Sequence, residues 1–316
     1  MRIGLIDVDG HHFPNLALMR ISAYHKARGD EVDWWWTDFI HYDIVYMSKI
    51  FSDAYSPDVP EPMNADRVIK GGTGYAISLV GGAEIYDKSK DTELPAEIER
   101  CFPDYSLYPQ YDFAVSMTSR GCPRGCAFCH VAAKEGRCAV KVADVADFWA
   151  GQKEIKVLDP NITACREKRD LMNQYAETGA WVDFTQGLDI RLIDDDDIAD
   201  INRMKMRYLH FAWDNPGDDL KGKFERYAAT TKKKTKSGAY GSVYILTNFE
   251  KCSVDDHVKR ALYRIYTVDA MNFDSYLMLY DKPHAPAVLR AMQRWCNNKY
   301  IFRSCPRFED YWRLEK

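Results

Sequence analysis

Three cysteines, Cys122, Cys126 and Cys129, fall within eight residues of the stretch TSRGCPRGCAFCH (residues 118–130). Thiolates are ligands for soft metals, and Gly121, Pro123 and Gly125 favour tight turns over helix, so the three thiols can converge on one centre. A structural zinc site needs four protein ligands, usually as two spaced pairs. The nearest further candidates, His130 and Cys138, do not make a second pair. A four-iron cluster held by only three thiolates leaves one iron open to a ligand that is not protein, and an open iron is where chemistry takes place.

Other residues able to do chemistry sit where strand-like runs end. Asp159 and Asn161 follow IKVL and can supply oxygens, although an Asp-Pro-Asn sequence also makes a plain turn. Gln186, Asp189 and Arg191 follow WVDFT, and an arginine there suits a carboxylate. Trp213 and Asp214 end RYLHFAWD, with core burial the alternative for the indole. Near the N-terminus the loop DGHHFP offers Asp9, His11 and His12, and a GGTG turn offers Gly71, Gly72 and Gly74.

These residues need elements to hold them. RIGLIDV, EVDWWW, DIVYMSKIF and VIKGGTGY are strand candidates, and LALMRISAYHKARG has helical spacing with Gly29 as its stop. They predict an α/β first domain, a Rossmann-like open sheet over residues 1–84. Residues 85–111, rich in charge, proline and tyrosine, show no sustained period and read as a linker. Over 112–285 six strand-like runs alternate with helical ones such as VADVADFWAG, KRDLMNQYAETG, DDIADINRMK and HVKRALYRIYT, which predicts a partial barrel of TIM type with its site at the C-terminal strand ends. Residues 286–316 read as a helical extension. Asp194–Asp197 stands where a helix begins, as the helix dipole favours.

With 316 residues, two domains can each bury a core. The net charge of −4 provides no global attraction for nucleic acid or an anionic membrane. The start MRIGLIDVDG has an aspartate where a signal peptide needs its apolar run, and no apolar stretch is long enough to span a bilayer, so a cytoplasmic protein is expected. There nine cysteines are ligands, catalysts or core residues sooner than disulfides. Cys296 and Cys305 are two thiols, too few for an auxiliary cluster, and read as ordinary buried or surface cysteines.

TSRGCPRGCAFC resembles the cluster loop of the radical S-adenosylmethionine superfamily, over about residues 112–285. The resemblance implies a partial (β/α)6 barrel and a 4Fe-4S cluster on Cys122, Cys126 and Cys129. It also implies S-adenosylmethionine on the open iron, cleaved to a 5′-deoxyadenosyl radical with an electron from a reductant such as flavodoxin or ferredoxin. By the family pattern Phe128 flanks the adenine. The family's glycine-rich segment after the second strand is replaced here by VLDPNIT, where Asp159 and Asn161 stand at the amino group's position. Gln186, Asp189 and Arg191 are placed for the carboxylate or ribose. The fifth strand, VYILTNFE, has Val243 and Thr247 where the family has glycines.

The first domain resembles the cobalamin-binding domain that precedes the barrel in one branch. There Gly71 and Gly72 approach the cofactor, and His11 stands in a D-x-H-x-x-G-like loop with Pro14 at the glycine position. Three functions remain open at this point. One is a radical enzyme, with cobalamin-dependent methyl transfer among its reactions. The second is radical modification of RNA or peptide without cobalamin. The third is a non-enzymatic iron-sulfur carrier or zinc-stabilised module.

Overall fold

The apolar runs at the start of the chain become strands of a parallel sheet whose buried core includes Ile3, Leu5, Val45 and Met47. In the computed structural model, which describes residues 1–37, 39–80 and 83–315, β1 (Arg2–Asp7) is followed by α1 (Leu16–Ala27), β2 (Glu31–Trp34), β3 (Tyr42–Ser48) and β4 (Ala65–Gly71). The four strands are parallel in the order β2-β1-β3-β4, the open sheet expected. Asn15 caps α1 by accepting from Leu18 N. Trp35 and Trp36 lie beyond β2, and among the described residues only α1 is an α-helix between these strands.

The chain divides into two compact units, Met1–Ser116 with Ala143–Lys153, and Met117–Val142 with Glu154–Lys316. The stretch expected as a linker is fastened into the first unit. After the hairpin of β5 (Ile77–Val80) and β6 (Ala83–Tyr86) and the short α2 (Ala96–Glu99), Ser22 donates to Asp104 at 2.6 Å and the buried Tyr108 donates to Asp7 at 2.7 Å. β7 (Phe113–Ser116) follows. VADVADFWAG, expected as a helix, makes one 3-10 turn at Val145–Asp147, because only Val145 and Phe148 meet a core, the spacing of a single turn.

In the second unit β8 (Ser119–Arg120), α3 (Val131–Glu135) and β9 (Val140–Lys141) frame the cysteine loop, with β8 and β9 antiparallel. Strands and helices then alternate: β10 (Glu154–Val157), α4 (Lys168–Thr178), β11 (Trp181–Phe184), α5 (Asp195–Arg203), β12 (Lys205–Tyr208). After them come β13 (His210–Ala212), α6 (Lys221–Thr230), β14 (Ser242–Thr247), α7 (Val254–Ala270) and β15 (Asp274–Leu279). α8 (Ala287–Asn297), α9 (Lys299–Ser304) and α10 (Phe308–Glu315) close the chain. Asp194 caps α5 by accepting from Asp197 N at 2.9 Å, so the acidic run is a helix start.

The period-two pattern sorts the strands. Ile155, Val157, Val182, Phe184, Val243, Ile245 and Leu277 are buried on one side of their strands, while Lys156, Asp183, His210, Tyr244 and Tyr276 alternate to the other side, where Asp183 is buried as well. The expected strand RYLHFAWD is broken at Leu209: β12 pairs with β11, but β13 pairs with β14, so the parallel strands form two sheets and no closed barrel. The free edge of β15 is covered by side chains. Asn297 exchanges hydrogen bonds with Leu277 N at 2.7 Å and Leu277 O at 2.9 Å, and Lys299 donates to Ser275 O at 2.6 Å. A covered edge accepts no further strand.

Candidate functional site

The cysteine loop begins at a clamp. Asp159, just past β10, accepts from Thr118 N at 2.7 Å and Ser119 N at 2.6 Å, and from their hydroxyls at 2.9 and 2.5 Å. Tyr175 of α4 donates to the same Thr118 hydroxyl at 3.2 Å. Burial pushes the Asp159 carboxyl up while its four donors pull it back. With both oxygens engaged, Asp159 anchors the loop; its expected place at a cofactor amino group is taken up by the chain itself.

From that anchor the loop turns back sharply. Gly121 has φ +88°, and a Cβ there would stand 2.1 Å from the carbonyl oxygen of Cys138, so no other residue fits. Cys122 N donates to Gly136 O at 3.1 Å, and Cys129 N donates to Cys126 O at 2.9 Å. Cys122 and Cys126 are half-buried and Cys129 is exposed. Burial pushes the Cys126 thiol up, and the charges of Cys129 and Cys122 add to it, so the three thiols lie within electrostatic range.

Asn161 donates from Nδ2 to Cys122 Sγ at 3.4 Å and accepts from Thr163 at 2.7 Å. An amide donor on a ligating sulfur is the outer-shell support that thiolates of a metal centre use. Among the described residues no group of three His, Cys, Asp or Glu side chains closes on a single ion. A cluster makes a different demand, because its thiolates bind separate irons. The donor set, the turn and the amide fit such a group.

The third-strand residues form a charge chain. Arg124, between the first two cysteines, donates to Asp189 at 2.8 Å; Arg191 donates to the other Asp189 oxygen at 2.6 Å and to Asp218 at 2.6 Å. Burial pushes Asp189 up, but the Arg191 and Arg124 guanidiniums outweigh it and hold the carboxyl below its ordinary range. Asp189 thus ties β11's loop to the cysteine loop, and Arg191 already has two carboxylate partners. Gln186 is exposed. Phe128 is partly buried and meets Phe249 edge-on at 5.4 Å.

Trp213 belongs to the core rather than a mouth. It is fully buried, stacks on Phe224 at 5.8 Å and donates to Asp218 O at 2.9 Å. Its neighbour Asp214 accepts from Leu246 N at 3.1 Å, and burial raises its pKa to about 6. Asp214 is within electrostatic range of both Cys126 and Cys129. Sequence reasoning missed Arg264. Its side chain is buried and donates to Trp213 O at 2.7 Å, Asp214 O at 2.8 Å and Leu246 O at 3.0 Å, gathering the ends of β13 and β14. Burial lowers its pKa to about 10. The signal available was an arginine in the apolar row Ala261, Ile265 and Val268 of α7. Cys296 is buried against Ser275, and Cys305 donates to Arg307 O at 3.5 Å.

In the first unit the sheet reverses between β1 and β3, the point where open sheets bind ligands. Asp9 joins the two loops there by accepting from Ile50 N at 2.6 Å and Phe51 N at 3.4 Å. His11 is exposed with φ +57°; its N–H donates to Asp7 at 3.3 Å, and its ring meets Trp34 edge-on at 4.2 Å. Phe13, Trp36, Ile50 and Phe51, on the loops after β1, β2 and β3, are exposed. Gly72 serves the chain's own backbone: its φ is +102°, and a Cβ would stand 2.3 Å from Lys49 O. A Cβ on Gly71 would make only ordinary contact with Thr92.

No protein-family profile matches the chain, and no curated protein does. Solved structures do. The radical S-adenosylmethionine methyltransferase TsrM from Kitasatospora setae, with cobalamin and a 4Fe-4S cluster bound, aligns with a TM-score of 0.60 and 10% identity, over 88% of this chain and 74% of that one. The two chains share a fold. A second TsrM structure, with tryptophan substrate and the S-adenosylmethionine analogue aza-SAM, gives a TM-score of 0.59 and 12% identity over 87% and 72%. At this identity the likeness is one of fold. Among the described residues no helix is long and apolar enough to cross a membrane.

Proposed function

We propose that the chain is a radical S-adenosylmethionine enzyme that carries a 4Fe-4S cluster on Cys122, Cys126 and Cys129 and uses cobalamin on its first unit for methyl transfer. The observation that carries the reading is the cysteine loop: three thiols on a turn that only glycine allows, fixed at its base by Asp159 and supported at Cys122 by the Asn161 amide. When bound there, a four-iron cluster supplies the electron, received from a reductant of the flavodoxin or ferredoxin kind, that cleaves S-adenosylmethionine to methionine and a 5′-deoxyadenosyl radical. The chain's own part is positional. The Asp189 bridge holds the loop against β11, Arg191 offers guanidinium edges to a carboxylate in competition with Asp218, and Phe128 offers a ring for adenine.

Cobalamin is supported by the fold shared with TsrM and by the exposed apolar side chains at the switch point of the first sheet. When bound, it supplies a methyl carrier. Radical chemistry without cobalamin, on RNA or peptide, is the second reading. It is favoured by Gly72, whose glycine the chain's own backbone requires, and by the His11 ring packed on Trp34. Anaerobic reconstitution with iron and sulfide tests the cluster, with uptake of about four irons expected in the wild type and not in the triple Cys→Ala chain. Tight zinc binding without iron uptake contradicts it. Equilibrium binding of hydroxocobalamin separates the two enzymatic readings: retention at micromolar concentration supports methyl transfer, and no retention leaves the second.

A further inference from the structure

Beside the edge strand β15 lies a cleft of about 630 Å³ that no residue of the cysteine site lines. Small-molecule sites measure about 300 to 1,000 Å³. Its charged lining residues, Lys282, Arg290 and Arg294, are all cationic, and no acidic side chain is among the described lining residues. Arg294 donates to Tyr311 OH at 2.8 Å, and Arg290 donates to Pro283 O at 3.4 Å. Among the described residues no carboxylate pairs with Arg290 or Lys282. Like charges gathered on a concave wall focus their field into it, and guanidiniums match the geometry of phosphate and carboxylate.

One wall residue of the cleft, Tyr276, belongs to the polar face of the sheet. Tyr276, on its wall, meets Tyr244 at 5.8 Å, and Tyr244 stacks on His210 at 5.0 Å with 9° between the rings. At the far end of this row Asp183 Oδ1 and His210 Nδ1 are buried without a hydrogen-bond partner, Asp183 Oδ1 facing His210 Nε2 at 3.6 Å. Buried polar atoms in that state call for a ligand or a water. We propose that the cleft binds the anionic end, phosphate or carboxylate, of an elongated substrate whose body lies along Tyr276, Tyr244 and His210. The role as substrate rests on the enzyme reading above; the anion site stands on its own residues.

Phenyl phosphate and phenylacetate, with phenol as the neutral control, test it by calorimetric titration of the full chain at low ionic strength. Both anions are expected to bind and phenol is not. Arg290→Gln and Lys282→Gln, on exposed side chains, should each weaken the anions about fivefold to tenfold. Salt at about 0.5 M should weaken the wild type as well. Whichever anion binds more tightly names the headgroup, and either supports the assignment. No anion binding at millimolar concentration, binding of phenol equal to that of the anions, or variants that bind like the wild type would overturn it. The triple Cys→Ala chain is expected to bind both anions normally, so failure of the anion site and failure of the cluster reading are separate results.

Discussion

Asp159 is the residue on which the cysteine loop depends. Replacing it with alanine leaves the N–H groups of Thr118 and Ser119 and two hydroxyls without their acceptor in a buried place. We expect a loss of about 2 to 4 kcal/mol in urea unfolding, together with reduced iron uptake on reconstitution. Asp214 gives a pH signature. Its folded pKa, about 6, is raised by burial above the ordinary aspartate value, so the folded state holds the proton more tightly than the unfolded chain. Its contribution to stability is therefore fully present near pH 4, falls as pH rises to about 6 and is absent above. Asp214→Asn should be about 2 kcal/mol more stable than wild type at pH 7.5, and that advantage should vanish near pH 4 in urea unfolding at the two pH values. The tight turn at the cysteines was legible in the sequence because it is local: the glycines and the spacing point to it. Asp159 and Arg191 stood out in the sequence by type and position, but their partners did not, since Ser119 lies 40 positions from Asp159 and Asp218 lies 27 from Arg191.

At the scale of elements, parallel strands and helices followed from apolar runs and their punctuation, and the start of α5 from its acidic run. Where the reading failed, tertiary partners decided. RYLHFAWD has the composition of one strand, yet its two halves pair with different neighbours, β11 and β14. The aperiodic stretch 85–111 is held by single polar contacts such as Tyr108 to Asp7, which leave no period to detect. Arg264 shows the energetic side of this scale. One guanidinium on α7 satisfies three carbonyls at the ends of β13 and β14. Arg264→Met keeps much of the apolar stem and removes every donor, so it should cost about 3 kcal/mol or more. Hydrogen exchange should then show faster opening at Leu246 and its neighbours; protection equal to wild type would make Arg264 a passive core residue.

For the whole molecule, a sequence identity of 10% beside a TM-score of 0.60 means that the fold persists where most side chains differ, and function has to be argued from the site. The site's central claim is that the three cysteines hold a cluster able to cleave S-adenosylmethionine. Anaerobically reconstituted chain, reduced with dithionite and mixed with S-adenosylmethionine, tests it by chromatography of the nucleoside product. The account predicts 5′-deoxyadenosine and methionine from the wild type and neither from the Cys122→Ala, Cys126→Ala, Cys129→Ala chain. Wild-type protein that takes up about four irons yet yields no 5′-deoxyadenosine above the level of the triple variant would contradict it.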